Sequence, residues 1–257
     1  MDNSKSIKMY KFNTKYFLSL PNKIRYLENC IKNKVILRFV YIFSIMDNEI
    51  EKIKIMKRFY YLFNKEVWDY ISETIKDEKV FIYFAHKVNW RKLTIRVIES
   101  LNSKNEDDKI FSDEFIGENL AKLNQKELLA NCRFNNIFIK KYRENLNLDL
   151  VALYQNVTKI TIRNLNLNPL MILKNQYIKN IEINYFPNMN WEKFFSSFIG
   201  LNIEYLIKLS PVLNENPKFF ELILNNKNNS DELKKLLKED LNIIEKTLNI
   251  KLINNYN

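Results

Sequence analysis

The residues able to do chemistry are few and stand apart. The sole histidine, His86, lies in "FIYFAHKVNW" at 81–90, three places before Asn89 and four before Trp90. A metal site or a nucleophile–base pair built on imidazole needs further ligands, and no second histidine exists in the 257 residues. Cys30 and Cys132 form no CxxC pair and have no histidine beside them. That spacing fits reduced, buried thiols in an intracellular, cytoplasmic protein. Three acids, Glu106, Asp107 and Asp108, fall in the polar run "NSKNEDDK" at 102–109, where carboxylates are most simply solvated on a surface loop. Gly117 and Gly200 are the only glycines, so phosphate-cradling loops and nucleophile elbows, which need glycine's backbone freedom, are nearly excluded. These residues point to a non-enzymatic chain with no cofactor and no metal.

Charge is the stronger signal. The formal net charge is +11, and residues 1–65 hold 14 Lys+Arg against 5 Asp+Glu. In "EKIKIMKRFYYLF" at 51–63, Lys54, Lys57 and Arg58 share one helical face while Ile53, Met56 and Tyr60 lie toward another. With Lys52 they are the candidate partner- or nucleic-acid-binding residues, since a row of cations on one face is what phosphate contact requires. A solvated lysine face in a chain rich in Lys, Asn and Ile accounts for the same residues. The longest apolar run, "VILRFVYIFSIM" at 35–46, contains Arg38 and is shorter than the roughly 20 residues a bilayer span needs, so it reads as a buried helix. The start, "MDNSKSIKMY", has no apolar stretch of the secretory kind.

The elements that carry these residues repeat. "KEVWDYI" at 65–71 matches "HKVNWRKL" at 86–93, and "AKLNQKELL", "ENLNLDLVA", "NLNLNPLMI" and "PNMNWEKFF" follow. Aligned on one column, the units give Val67, Asn89, Asn124, Asn147, Asn168 and Asn190, spaced by 22, 35, 23, 21 and 22 residues. Three residues beyond the next column, which holds Trp68, Trp90 and Trp191, stand Ile71, Leu93, Leu128, Val151, Ile172 and Phe194. About nine before it come Phe59, Phe81, Ile116, Ile139, Ile160 and Ile181, with Phe63, Phe84, Leu120, Tyr142, Leu165 and Phe186 between. Exposed tryptophans in a row could stack on bases or anchor a partner; at a periodic apolar position they read as core. "FIGENLAKL" and "FIKKYRENL" have helical spacing, so each unit becomes two short helices, the asparagine capping the second. Neither helix can bury its apolar face alone, which makes stacking of neighbours obligatory.

This pattern resembles the repeats of about 22 residues, F-I-x-x-F-x-x-x-V-N-W-x-x-I, of uncharacterised proteins from large DNA viruses and mobile elements; the similarity covers roughly residues 59–200. The resemblance implies an architecture and an origin but no activity. "KITIRNLNLN" at 159–168 and "KNIEINYF" at 179–186 alternate like strands and are similar to leucine-rich repeats, although Leu165 and Phe186 stand where that family has asparagine. "LSLPNKIRYLENCI" at 18–31, followed by "VWDYI" at 67–71, is similar to an F-box, which implies a substrate adaptor of a ubiquitin ligase.

The expected fold is mainly α, a solenoid of short stacked two-helix repeats, with short strands around 157–186 as the alternative there. Residues 1–58 form a basic helical N-terminal region, 59–200 an array of about six units, and 201–257 a helical cap that includes "SDELKKLLKEDLNIIEKTL" from Ser230. The expected partner is a protein, possession of a membrane span is not expected, and nucleic acid is the second candidate.

Overall fold

The computed structural model describes residues 25–26, 49–216, 218–227 and 229. The protein is mainly helical, and among the described residues there is no strand. The helices are α1 (Glu49–Phe59), α2 (Lys65–Thr74), α3 (Glu78–Tyr83), α4 (Trp90–Asn102), α5 (Asp113–Asn119), α6 (Gln125–Asn131) and α7 (Asn136–Lys141). They continue with α8 (Leu148–Tyr154), α9 (Lys159–Leu165), α10 (Pro169–Lys174), α11 (Trp191–Ser197), α12 (Ile203–Glu215) and α13 (Lys218–Asn225). Cys30, the apolar run at 35–46, Leu20 and Pro21 of the F-box-like stretch and the helical stripe from Ser230 lie outside the described residues. The chain divides into two compact units, residues 1–115 and 116–257.

Most of these helices have six or seven residues, too short to persist alone, so packing must hold them. The sequence places the same devices in each pair. A first helix buries two adjacent apolar residues, Val80–Phe81 in α3 and Phe138–Ile139 in α7. A buried aliphatic, Val88, Leu123, Leu146 or Leu167, then precedes an asparagine that starts the second helix. Asn89, Asn124, Asn147 and Asn190 each accept, through the side-chain oxygen, the N–H three residues on (Lys92, Glu127, Leu150 and Lys193), and Asn168 accepts that of Leu170. Each satisfies one donor that the helix leaves open. The second helix then buries Leu93, Leu128, Val151 or Ile172.

Within the first unit α1 packs on α3 and α2 on α4. Within the second, α7 packs on α9, and α6, α8, α10 and α12 follow one another, each against the next. Helix α11 packs on α13.

Residues 157–186 contain α9, α10 and a 3₁₀ turn at Ile183–Tyr185, so the helical reading holds there and the strand alternative does not. Three details differ from the expected repeat. The alternation in "KITIRNL" is overridden because Thr158 caps α9, and Asn166, in the left-handed region at φ 49°, closes it. There Leu167 N–H bonds Ile162 O and Asn166 N–H bonds Arg163 O, a Schellman ending. This shortens the link to Asn168, so Ile162 is buried where Ile160 was expected, and Ile160 is 63% exposed. In the opening unit Asn64, not the Val67 position, caps α2 by accepting from Val67 N–H. In the last, Phe195 fills the core position expected of Phe194, which is only half buried.

The pairs are joined by buried side chains absent from the sequence reading. Helices end with unpaired carbonyls. Gln155, following α8, donates its amide to Leu129 O and Cys132 O at the end of α6, at 2.6 and 3.0 Å. Asn175, following α10, does the same to Ala152 O and Gln155 O, at 2.7 and 2.8 Å. Lys208 of α12 reaches Leu173 O and Asn175 O, and Asn226 reaches Phe195 O and Phe198 O. In the first unit Arg96 of α4 donates to Ser72 O and Ile75 O at the end of α2. Each donor is buried, and each closes the helix end of its stacked neighbour.

Candidate functional site

Helix α1 carries the candidate cations. Its inner side is fixed by Ile55, Met56 and Phe59, all buried, which turns Lys54, Lys57 and Arg58 outward to solvent; Lys52 is half buried. Lys57 and Arg58 lie in the last turn, where positive charge also complements the helix dipole. The Lys57 ammonium sits 4.0 Å from the centre of the Tyr83 ring at the end of α3, within cation–π range. The Arg58 guanidinium stands 5.7 Å from the ring of Phe59.

Apolar side chains border this face. Ile50 is 67% exposed at the start of α1, and Tyr61 is 70% exposed in the 3₁₀ turn Tyr60–Leu62 that continues it. On α3, Ile82 is 53% and Tyr83 51% exposed. Sequence reasoning found the cations but missed these neighbours. Their own spacing, Ile50 four before Lys54 and Tyr61 four after Lys57, is visible in the chain, but exposure is not.

The other candidates are dispersed. His86 is exposed and lines an open hollow with Phe63, Lys65, Trp68 and Lys87. Glu106 and Asp108 lie on a 3₁₀ turn, where Lys109 pairs with Glu106 at 2.5 Å and Ser100 Oγ donates to Asp108 O. Cys132 is buried, and desolvation pushes its thiol up to about 11, so it is protonated and unreactive at neutral pH. Among the described residues no group of three or more His, Cys, Asp or Glu is arranged to hold a metal ion, and no helix is long and apolar enough to cross a membrane.

The tryptophan column does something more specific than packing. Trp90 is half buried and its indole N–H donates to Ala85 O, five residues back, at 2.8 Å. Gln125, in the same column, donates to Leu120 O, also five back, at 3.1 Å. In both units the residue locks the turn between the paired helices. Trp68 and Trp191 are buried, and among the described residues their indole N–H groups have no hydrogen-bond partner. Trp68 stacks edge-on to Phe63 and tilts on Phe84, so the tryptophan that the F-box similarity invokes is part of the core.

Comparison with protein-family models, with curated proteins and with solved structures finds no match to this chain.

Proposed function

We propose that the chain is a non-enzymatic repeat protein whose helix pairs stack in solenoid fashion within each unit, and that its task is to bind another macromolecule, a protein. The observation that supports this is the series of buried donors, Arg96, Gln155, Asn175, Lys208 and Asn226, each closing a neighbouring helix end. A fold completed pair by pair in this way gains surface with each addition, which is how repeat proteins build binding faces.

The test is capture from a cell lysate on the immobilised chain with identification by mass spectrometry, followed by affinity measurement with the purified partner. Saturable one-to-one binding is the expected result. Recovery of no specific partner, alongside turnover of a small molecule in a substrate screen, overturns the reading.

A second reading, nucleic-acid binding, is favoured by Lys54, Lys57 and Arg58 facing solvent beside the exposed rings of Tyr61 and Tyr83. It requires affinity that falls steeply with salt and weakens when the three cations are reversed to Glu. Failure of both RNA and DNA to bind at low salt ends it.

A further inference from the structure

We propose that the outer stripe of α1, together with the end of α3, is a docking surface for an acidic amphipathic helix of a protein partner. This rests on the proposed protein-binding function and specifies its site and the partner's chemistry.

Ile50, Lys54, Lys57 and Tyr61 are separated by four, three and four residues, the spacing that keeps side chains on one helical face. All four are exposed. The stripe runs for three turns, about 16 Å at 1.5 Å per residue. Its order is apolar, cation, cation, apolar. Single exposed apolar residues are ordinary, but here they bracket a pair of charges on one line.

The face extends sideways. Lys57 lies over the Tyr83 ring, which ties the stripe to α3 and brings the exposed Ile82 and Tyr83 alongside. The complementary ligand is a helix with two acids one turn apart in its middle and apolar side chains one turn to either side. The acids meet Lys54 and Lys57, and the apolar groups meet Ile50 at one end and Tyr61, Ile82 and Tyr83 at the other.

Two observations favour a peptide over a nucleic acid here. Among the described residues 49–115 there are 13 Lys+Arg and 13 Asp+Glu, so around this stripe they supply no net positive charge for a phosphate backbone to follow; most of the cationic excess of residues 1–65 lies outside them. The branched aliphatic side chains of Ile50 and Ile82 match apolar side chains, whereas single-stranded nucleic acid is gripped by aromatic platforms.

The probe is a synthetic helical peptide with Leu, Glu, Glu and Leu at the same four, three, four spacing on an alanine and glutamine background. A counterpart with Lys in place of Glu and a uridine oligonucleotide are the controls, all measured by fluorescence anisotropy on the full chain at ~0.1 M salt, where exposed charges still interact over about 10 Å. The acidic peptide is expected to bind at least about tenfold tighter than the basic one. The Lys54→Glu, Lys57→Glu variant should reverse that order, and Ile50→Ser with Tyr61→Ser should weaken the acidic peptide about tenfold while leaving its salt dependence unchanged. Circular dichroism and thermal melts establish that both variants fold, as expected for exposed positions.

Equal affinity for the two peptides, indifference to the charge reversal, or displacement of the acidic peptide by the oligonucleotide overturns the proposal. If a lysate partner is still held by the charge-reversed variant, the docking face is wrong and the protein-binding function stands. If no partner is captured by the wild-type chain, the function itself fails.

Discussion

Gln155 and Gln125 form a natural experiment within one unit. Both are glutamines that make three hydrogen bonds to backbone groups. The Gln155 amide donates to Leu129 O and Cys132 O, and its oxygen accepts from Phe134 N–H at 2.9 Å. The Gln125 amide donates to Leu120 O and Asn145 O, and its oxygen accepts from Asn147 N–H at 2.7 Å. The difference is burial: Gln155 is fully buried and Gln125 is half exposed. Replacing either by Met keeps the length and removes the bonds. A net contribution of about 1 kcal/mol per bond gives ~3 kcal/mol for Gln155→Met, because the stranded carbonyls and N–H have no water to turn to. At Gln125 water can replace the lost partners, so Gln125→Met should cost about 1 kcal/mol or less. With a melting shift of about 2–4 °C per kcal/mol for a domain of this size, the first variant should melt ~6–12 °C below wild type and the second within a few degrees. Thermal melts followed by circular dichroism, with hydrogen exchange at the end of α6, measure both. Equal losses, or a Gln155→Met variant within about 0.5 kcal/mol of wild type, refute the claim that buried side chains join the helix pairs.

Three further outcomes are expected. Trp90→Ala should cost about 2 kcal/mol, below the 3–5 typical of a fully buried Trp, because the ring is half exposed, while His86→Ala should be near silent by the same melts. Gly117→Ala should destabilise by roughly 1–3 kcal/mol, since an added Cβ would collide with the Tyr142 ring, and Tyr142→Leu in the same chain should recover part of the loss. In a Cys30→Ser background, Cys132 should resist iodoacetamide at pH 8 until the chain is unfolded. Burial raises its pKa from 9.0 to about 11, so the folded state retains a proton that the unfolded state loses, and the associated stability should be full below about pH 9 and vanish as pH rises through about 11.

The parts of this protein that are legible in the chain are those whose physics is local. An N-cap asparagine bonds an N–H two or three residues on, so Asn89, Asn124, Asn147, Asn168 and Asn190 mark helix starts by their spacing alone. The buried columns Leu93, Leu128, Val151 and Ile172 follow from the same periodicity. The outward face of Lys54, Lys57 and Arg58 was readable for that reason too. Where two local rules competed, the chain was ambiguous: "KITIRNL" alternates like a strand, and it is the Thr158 cap and the left-handed Asn166 that make it helical and shift Ile160 to the surface.

The connections between helix pairs could be decided only by tertiary structure. Gln155, Asn175, Lys208 and Asn226 reach residues 20 to 35 positions away, and what they bond is a backbone carbonyl. A carbonyl is the same at every position, so no residue type in the chain marks which one will be left open at a helix end. Lys208 reads in sequence as one more surface lysine, and Asn175 as one more asparagine in a chain full of them. Their burial, and with it their role, comes into being only when the neighbouring helix ends beside them.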